Sequence, residues 1–451
     1  MNAAVSALRP ERLMLGAACV GMLTLGVNGT AIMAALPTMR AELGLSATQL
    51  GWAINAYLIV SAACIIPGGR ASDQAGAGRV SLAGLVLFIV GSAIIATGQW
   101  PWTLLAGRAV QGLAAALAVP GTLAAIGEAY PGPSRPAAIG LWAGFLMLGF
   151  SIGPLIGGAL THYAGWRAMF WASGTMMLVA AGGVLAATSG ASKPPARHTA
   201  RFDWAGFALL AVFMSALVSA LHALPFASAA PLGLVAPAVA AVMALGGLLA
   251  VERRVSAPLL DPHLFNAAFV RALLVGSIAM MSILSLLLYY NLYAQSPTGL
   301  ALTPVGAGLS LLPMSGGLLG AAFLAPLQID RFGPRRVLSA AMILTALAAT
   351  VIAIGSAGTL WTWLLVGLFG VGIGLAVPYA TAPRLALAAL PPERAGAAAG
   401  VINACTFLGG SIGVAGGAIA YAADGLPALA GLIAALSLAA FPVCLRIPAV
   451  T

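Results

Sequence analysis

The sequence predicts an all-α membrane protein with fourteen transmembrane helices, and three observations carry that prediction. Of 451 residues, 61% are hydrophobic and only 7% are charged, against about a quarter charged in a water-soluble globule. Apolar stretches of about 20 residues, long enough to cross a roughly 30 Å hydrocarbon core as helices, recur along the whole chain. The chain also repeats itself, so that one half of the predicted bundle reads as a copy of the other.

The spans fall at 13–37, 47–68, 79–98, 102–127, 137–161 and 167–189, then 204–224 and 231–251. Six more follow at 268–294, 303–327, 335–356, 360–382, 395–421 and 426–446. The first follows Arg9 and Arg12 as a secretory signal would, but thirteen spans come after it, so it reads as a retained helix. With the N-terminus in the cytoplasm, Arg40 and Arg167 fall outside and Arg108 within a span. All other Lys and Arg residues are then cytoplasmic, which places both termini inside. The formal charge of +10 is spread over loops that face anionic lipid, so no nucleic-acid partner is implied.

Cys19, Cys64, Cys405 and Cys444 all fall within spans, and His162, His198, His222 and His263 are scattered. Neither set has the spacing of a disulfide or metal site, and no cofactor is expected. The one lysine, Lys193, sits in "TSGASKPP" without the glycines of a phosphate-binding loop, which sets ATP drive aside.

The repeat is visible at three places in the same order. "SDQAGAGRV" (72–80) aligns with "IDRFGPRRV" (329–337), pairing Asp73 with Asp330, Gly76 with Gly333 and Arg79 with Arg336. "LLAGRAVQGLAAALAVP" (104–120) aligns with "LLVGLFGVGIGLAVP" (364–378), and "SIGPLIGG" (151–158) with "SIGVAGG" (411–417). The organisation expected is a six-helix bundle over 1–190, cytoplasmic linkers and two inserted helices over 191–265, and a second six-helix bundle over 266–451. Duplicated halves with a site between them suit a secondary transporter, because rocking one against the other alternates access.

Four stretches, "WAINAYLIVSAACIIPGGRASDQAGAGRV" (52–80), "LLAGRAVQG" (104–112), "LGFSIGPLIGGAL" (148–160) and "NACTFLGGSIGVAGGAI" (403–419), resemble the major facilitator superfamily in its fourteen-helix drug:proton antiporter branch. The resemblance covers nearly the whole chain. It implies that Gly69, Asp73, Gly76 and Arg79, with Asp330, Gly333 and Arg336 in the second copy, form a cytoplasmic gate that latches the halves. Gln74 and Ala77 replace the bases usual in this loop, so the second copy is the closer match. Gly149, Gly153, Pro154, Gly157 and Gly158 resemble the signature of exporters; as bare chemistry, glycines at this spacing equally make a helix-packing face.

The branch carries an aspartate in Asp-x-Thr-x-x-x-x-Ala-Leu-Pro, where this chain has Asn28 followed by Thr30, Ala35, Leu36 and Pro37. A side-chain amide does not ionise at physiological pH, so it cannot load and unload a proton as a carboxylate does. Arg108 is costly inside a span, about 2.5–3.5 kcal/mol on insertion scales. It reads either as a charge lining the translocation path, as the resemblance implies, or as a brace bonded to backbone carbonyls.

The candidate residues for the substrate cavity or coupling are Asn28, Asn55, Tyr57, Arg108, Gln111, Tyr289, Tyr290 and Asn403. Asn291, Tyr293, Tyr379 and Thr406 are further polar residues within spans. "YYNLY" (289–293) reads equally as cavity lining or as an interfacial aromatic belt. With no acid deep in a span, Glu128 and Asp73 are the candidate proton carriers.

The function expected is export of small amphipathic organic compounds, drugs or secondary metabolites, by a proton-coupled monomer in the bacterial plasma membrane. Its partners are the organic substrate, protons and the lipid bilayer. A proton-coupled importer on the same fold is the alternative. A polytopic membrane enzyme or sensor is remote, because no catalytic cluster gathers at one face.

Overall fold

A computed structural model describes residues 9–189, 203–224, 231–255, 262–358, 360–390 and 395–448. Lys193, His198 and the linker 190–202 lie outside the described residues. The first six helices are α1 (Pro10–Leu43), α2 (Ala47–Ala75), α3 (Ala77–Thr97), α4 (Pro101–Ala129), α5 (Arg135–Ala164) and α6 (Trp166–Thr188). Two more, α7 (Trp204–Ala223) and α8 (Pro231–Glu252), form the inserted hairpin. The rest are α9 (Ala267–Gln295), α10 (Pro304–Phe332), α11 (Pro334–Ala357), α12 (Trp361–Ala388), and α13 and α14 over 395–423 and 426–444.

Among the described residues, 13 helical segments are long and apolar enough to cross a membrane, and the final one covers 47 residues. That is about 70 Å of helix, twice what one crossing needs. It folds back at Asp424 and Gly425, whose backbone is non-helical, so it counts as two spans and the total is the fourteen expected.

Helix boundaries follow local chemistry. Ser46 and Gln49 form a capping box at the start of α2, while Asp203, Asn266 and Thr303 accept from the backbone N–H groups of Gly206, Phe269 and Gly306. These side chains satisfy N–H groups that have no partner within the helix. The tight turns from α2 to α3 and from α10 to α11 pivot on Gly76 (φ 95°) and Gly333 (φ 81°). Only glycine adopts that backbone without strain, and these are the two glycines that the sequence repeat aligns.

The repeat continues in the packing. A methyl group on Gly107 of α4 would lie 2.8 Å from the Gly91 carbonyl oxygen of α3, and one on Gly367 of α12 would lie 2.9 Å from the Ala348 carbonyl oxygen of α11. Small residues thus bring the same helix pair into backbone contact in both halves, which is how membrane helices gain contact without a hydrophobic driving force.

The halves meet along three seams: α5 with α10, α2 with α13, and α1 with α9. Through Leu210, Met214 and Val218, α7 joins an apolar cluster with Ile59, Ala62 and Ala63 of α2 and with residues of α13 and α14. His222, at the end of α7, is buried and stacked on Trp52 with ring centroids 5.8 Å apart. Large apolar side chains such as Leu178, Val179, Leu232, Val242 and Leu347 remain exposed on the outer surface. An apolar perimeter of this kind is what a bilayer would cover.

Candidate functional site

Arg108 sits in the second turn of α4 and is 0% exposed. Its Nε donates to the Ala53 carbonyl oxygen of α2 at 2.9 Å, and its Nη1 donates to Asn28 Oδ1 at 2.9 Å and to Gln111 Oε1 at 2.8 Å. The guanidinium carbon lies 4.5 Å from the centroid of the Tyr57 ring, a cation–π placement.

The network continues outward through two serines. Gln111 Nε2 donates to Ser92 Oγ on α3 at 2.9 Å, and Asn28 Nδ2 donates to Ser173 Oγ on α6 at 3.3 Å. Five helices of the first half therefore converge on one buried cation. Among the described residues all its hydrogen-bond partners are neutral oxygens, no carboxylate is among them, and Nη2 has no hydrogen-bond partner. Two of its nitrogens thus hold neighbouring helices, and the residue also borders a cleft between the halves.

That space is narrow and apolar. One cleft of about 10 Å³ is lined by Arg108, Tyr57, Gly29, Ile54, Leu58 and Phe150 from the first half and Met280, Leu284 and Phe407 from the second. A neighbouring cleft of about 20 Å³ is lined by Thr30, Met147 and Phe150 facing Met280, Ile283, Leu284, Leu287, Leu318 and Tyr379. Above and below them the seams close. Gln295 Nε2 donates to the Ala34 carbonyl oxygen at 2.9 Å near the face where α1 ends. Near the face where α1 begins, a methyl on Gly400 would lie 2.8 Å from the Ile66 side chain. Midway, Ser411 Oγ donates to Asn55 Oδ1 at 2.8 Å, joining α13 to α2.

The remaining candidates are distributed as follows. Tyr289 donates its hydroxyl to the Val414 carbonyl oxygen at 2.7 Å and Tyr290 to Ser310 Oγ at 2.9 Å, so both hydroxyls are used within the second half. Both rings are buried, which makes neither an interfacial belt. Asn291 and Asn403 turn back onto the carbonyl oxygens of Leu287 and Ala399 in their own helices. Tyr379 and Thr406 line a third small cleft within the second half.

Gly149, Gly153 and Gly157 face α1, each where a side chain would strike the backbone or Thr30. Gly158 and Pro154 face α10 instead, against Pro304 and Gly308 across the seam. The five residues thus divide between two neighbours. At the face where α1 begins, Asp73, Arg79, Arg336 and Glu128 are exposed, and Gly69 is half-buried. Asp330 pairs with Arg384 of α12 at 2.8 Å, a bond that stays inside the second half rather than bridging to the first.

Sequence reasoning missed Ser92, Ser173 and Ser411, the hydroxyls that complete the network and cross the seam. The apolar wall of Phe150, Met280, Leu284 and Phe407 was equally invisible, since apolar residues in apolar spans carry no local signal.

Comparison with known proteins agrees with this architecture. The Major Facilitator Superfamily profile matches residues 18–323 and 272–450. The tetracenomycin C resistance and export protein of Streptomyces glaucescens is 30% identical over 414 residues, covering 90% of this chain and 75% of that protein. A puromycin resistance protein of Streptomyces alboniger is 31% identical over 420 residues, covering 88% and 80%. The multidrug resistance protein Stp of Mycobacterium tuberculosis is 28% identical over 411 residues, covering 90% and 75%. Two repeated halves, seams closed around a narrow cleft and a profile match over nearly the full length make this chain a member of the Major Facilitator Superfamily, a multi-pass membrane protein.

Proposed function

We propose that the chain is a secondary active exporter of small amphipathic organic compounds, drugs or secondary metabolites, and not an enzyme. Residues 1–190 and 266–451 rock as two bodies about the central clefts, and the cargo binds between them. The observation that carries this reading is the cleft wall itself. Phe150 and Tyr57 from one half oppose Met280, Leu284 and Phe407 from the other, so parting the halves exposes aromatic and thioether surface to a ligand. Such a wall discriminates weakly among apolar bodies of similar size, and the methionine adapts its shape. Relatives named for resistance to, or export of, tetracenomycin C and puromycin support the direction.

In this reading the protein works as a monomer in the plasma membrane with both termini cytoplasmic, as the distribution of arginines over its loops favours. Export is coupled to protons taken up by an exposed carboxylate, Glu128 or Asp73, at the face where α1 begins. The test is uptake of neutral, anionic and cationic aromatic compounds into everted vesicles under an imposed proton gradient. Accumulation that collapses with the gradient, and is lost in Glu128→Gln or in Asp73→Asn, is the expected result. Accumulation that persists in both variants would remove these carboxylates from the coupling step.

A further inference from the structure

We infer that the central cleft selects an organic anion, a small carboxylate on a flat apolar body, and that Arg108 Nη2 binds its carboxylate group. The inference rests on the export reading for its direction but not for its chemistry. Arg108 is wholly buried, and its surroundings offer it only dipoles and a ring face: the Ala53 carbonyl, the amide oxygens of Asn28 and Gln111, and Tyr57. Dipoles orient and partly solvate a guanidinium, but they leave its full unit of charge in place. Of its three nitrogens, Nε and Nη1 are engaged and Nη2 has no partner among the described residues.

The residue lines the cleft shared by both halves, so the unengaged nitrogen belongs to a group at the cargo's position. A carboxylate there completes an ion pair that the protein leaves open, and charge-assisted bonds from guanidinium to carboxylate are among the stronger hydrogen bonds. A cationic cargo meets the opposite situation. Among the described residues no carboxylate lines either seam cleft, so a desolvated ammonium faces a like charge without compensation. Phe150, Met280, Leu284 and Phe407 supply the apolar part of the site. The cleft holds only about 10 Å³, so the anion enters as the halves part.

Position 28 sets this selectivity. Asn28 Oδ1 accepts from Arg108 Nη1 at 2.9 Å as a neutral group. An aspartate of nearly the same shape would place a fixed negative charge on the guanidinium and remove the reason for the cargo to carry one.

The test uses the full chain in lipid nanodiscs, titrated with three fluorescent probes on one ring system: pyrene-1-carboxylate, its methyl ester and 1-pyrenemethylamine, with empty nanodiscs as baseline. The carboxylate is expected to bind at least about tenfold tighter than the ester, equivalent to one strong polar contact, and the amine weakest of all. Arg108→Met is expected to bring carboxylate affinity down to that of the ester. Asn28→Asp, which changes no volume, abolishes the same preference and so reports even if the arginine variant does not fold. Equal binding of ester or amine and carboxylate by the unmodified chain overturns the inference, as does a tenfold preference that survives Asn28→Asp. If no probe accumulates in everted vesicles, the export reading falls, while the equilibrium preference still decides the site's chemistry.

Discussion

Replacing Ser411 with alanine isolates what one hydrogen bond contributes to holding the halves together. Ser411 Oγ donates to Asn55 Oδ1 at 2.8 Å between α13 and α2, and both side chains are 0% exposed. Asn55 Nδ2 already has no partner among the described residues, so Ser411→Ala leaves the whole amide unsatisfied. A buried polar group without a partner costs about 1–3 kcal/mol. The cost falls on the closed seam only, because a parted seam hydrates the amide. A bias of that size shifts the population of parted molecules by about 5- to 150-fold.

Spin labels at Arg40 and Thr298, both exposed near the face where α1 ends, would read the shift in a chain with its four cysteines replaced. Pulsed electron paramagnetic resonance should show a longer-distance population growing in Ser411→Ala. Adding Asn55→Leu removes both polar partners and should return the distribution toward that of the unmodified chain, since paired apolar replacement is close to neutral. Unchanged distances in Ser411→Ala, or a double variant more open than the single, would refute the reasoning.

Two further outcomes follow from the packing. Gly158→Val drives a side chain into the Pro304 carbonyl oxygen across the α5–α10 seam, an overpacking cost of about 1–3 kcal/mol. The same labels should move apart and efflux should slow, whereas Gly140→Ala, with nothing within 4 Å of the added methyl, should leave both unchanged. Asp330→Asn breaks an ion pair whose side chains are 48% and 56% exposed. Pairs of that kind contribute about 0–1 kcal/mol, so the thermal unfolding midpoint should stay within error, and a clear drop would show that the pair supports the second half.

The fold was legible because its two signals are global. Apolar runs of membrane length and an aligned pair of halves survive any local ambiguity, down to Gly76 and Gly333 at equivalent turns. Asn28, Arg108 and Gln111 were legible as site candidates for a thermodynamic reason: polar groups inside spans are expensive and need partners. Their serine partners were not, because a hydroxyl in a membrane helix is satisfied equally well by the carbonyl four residues back, as Thr122, Ser219 and Ser437 do here. Tyr289 and Tyr290 show the same limit in reverse. Their rings are conspicuous in sequence, yet which helix receives each hydroxyl depends on helix rotation that no short pattern encodes. At the inserted hairpin the same holds for His222, whose burial against Trp52 of α2 depends on packing that its place near the helix end does not encode.

The unpaired guanidinium also has an electrical meaning. Arg108 is a permanent positive charge held within the membrane-spanning part of the protein, and moving one elementary charge through the field of a membrane involves about 2.3 kcal/mol per 100 mV. In the mechanism proposed above, the stroke without cargo moves that charge through some fraction of the voltage, whatever proton an exposed carboxylate carries. Loaded with a monoanion, the arginine and its cargo move as a neutral pair. The resting potential would then act on the Arg108 charge in the return stroke alone, so the voltage dependence of turnover distinguishes a carrier that cancels this charge with cargo from one that cancels it with an internal acid.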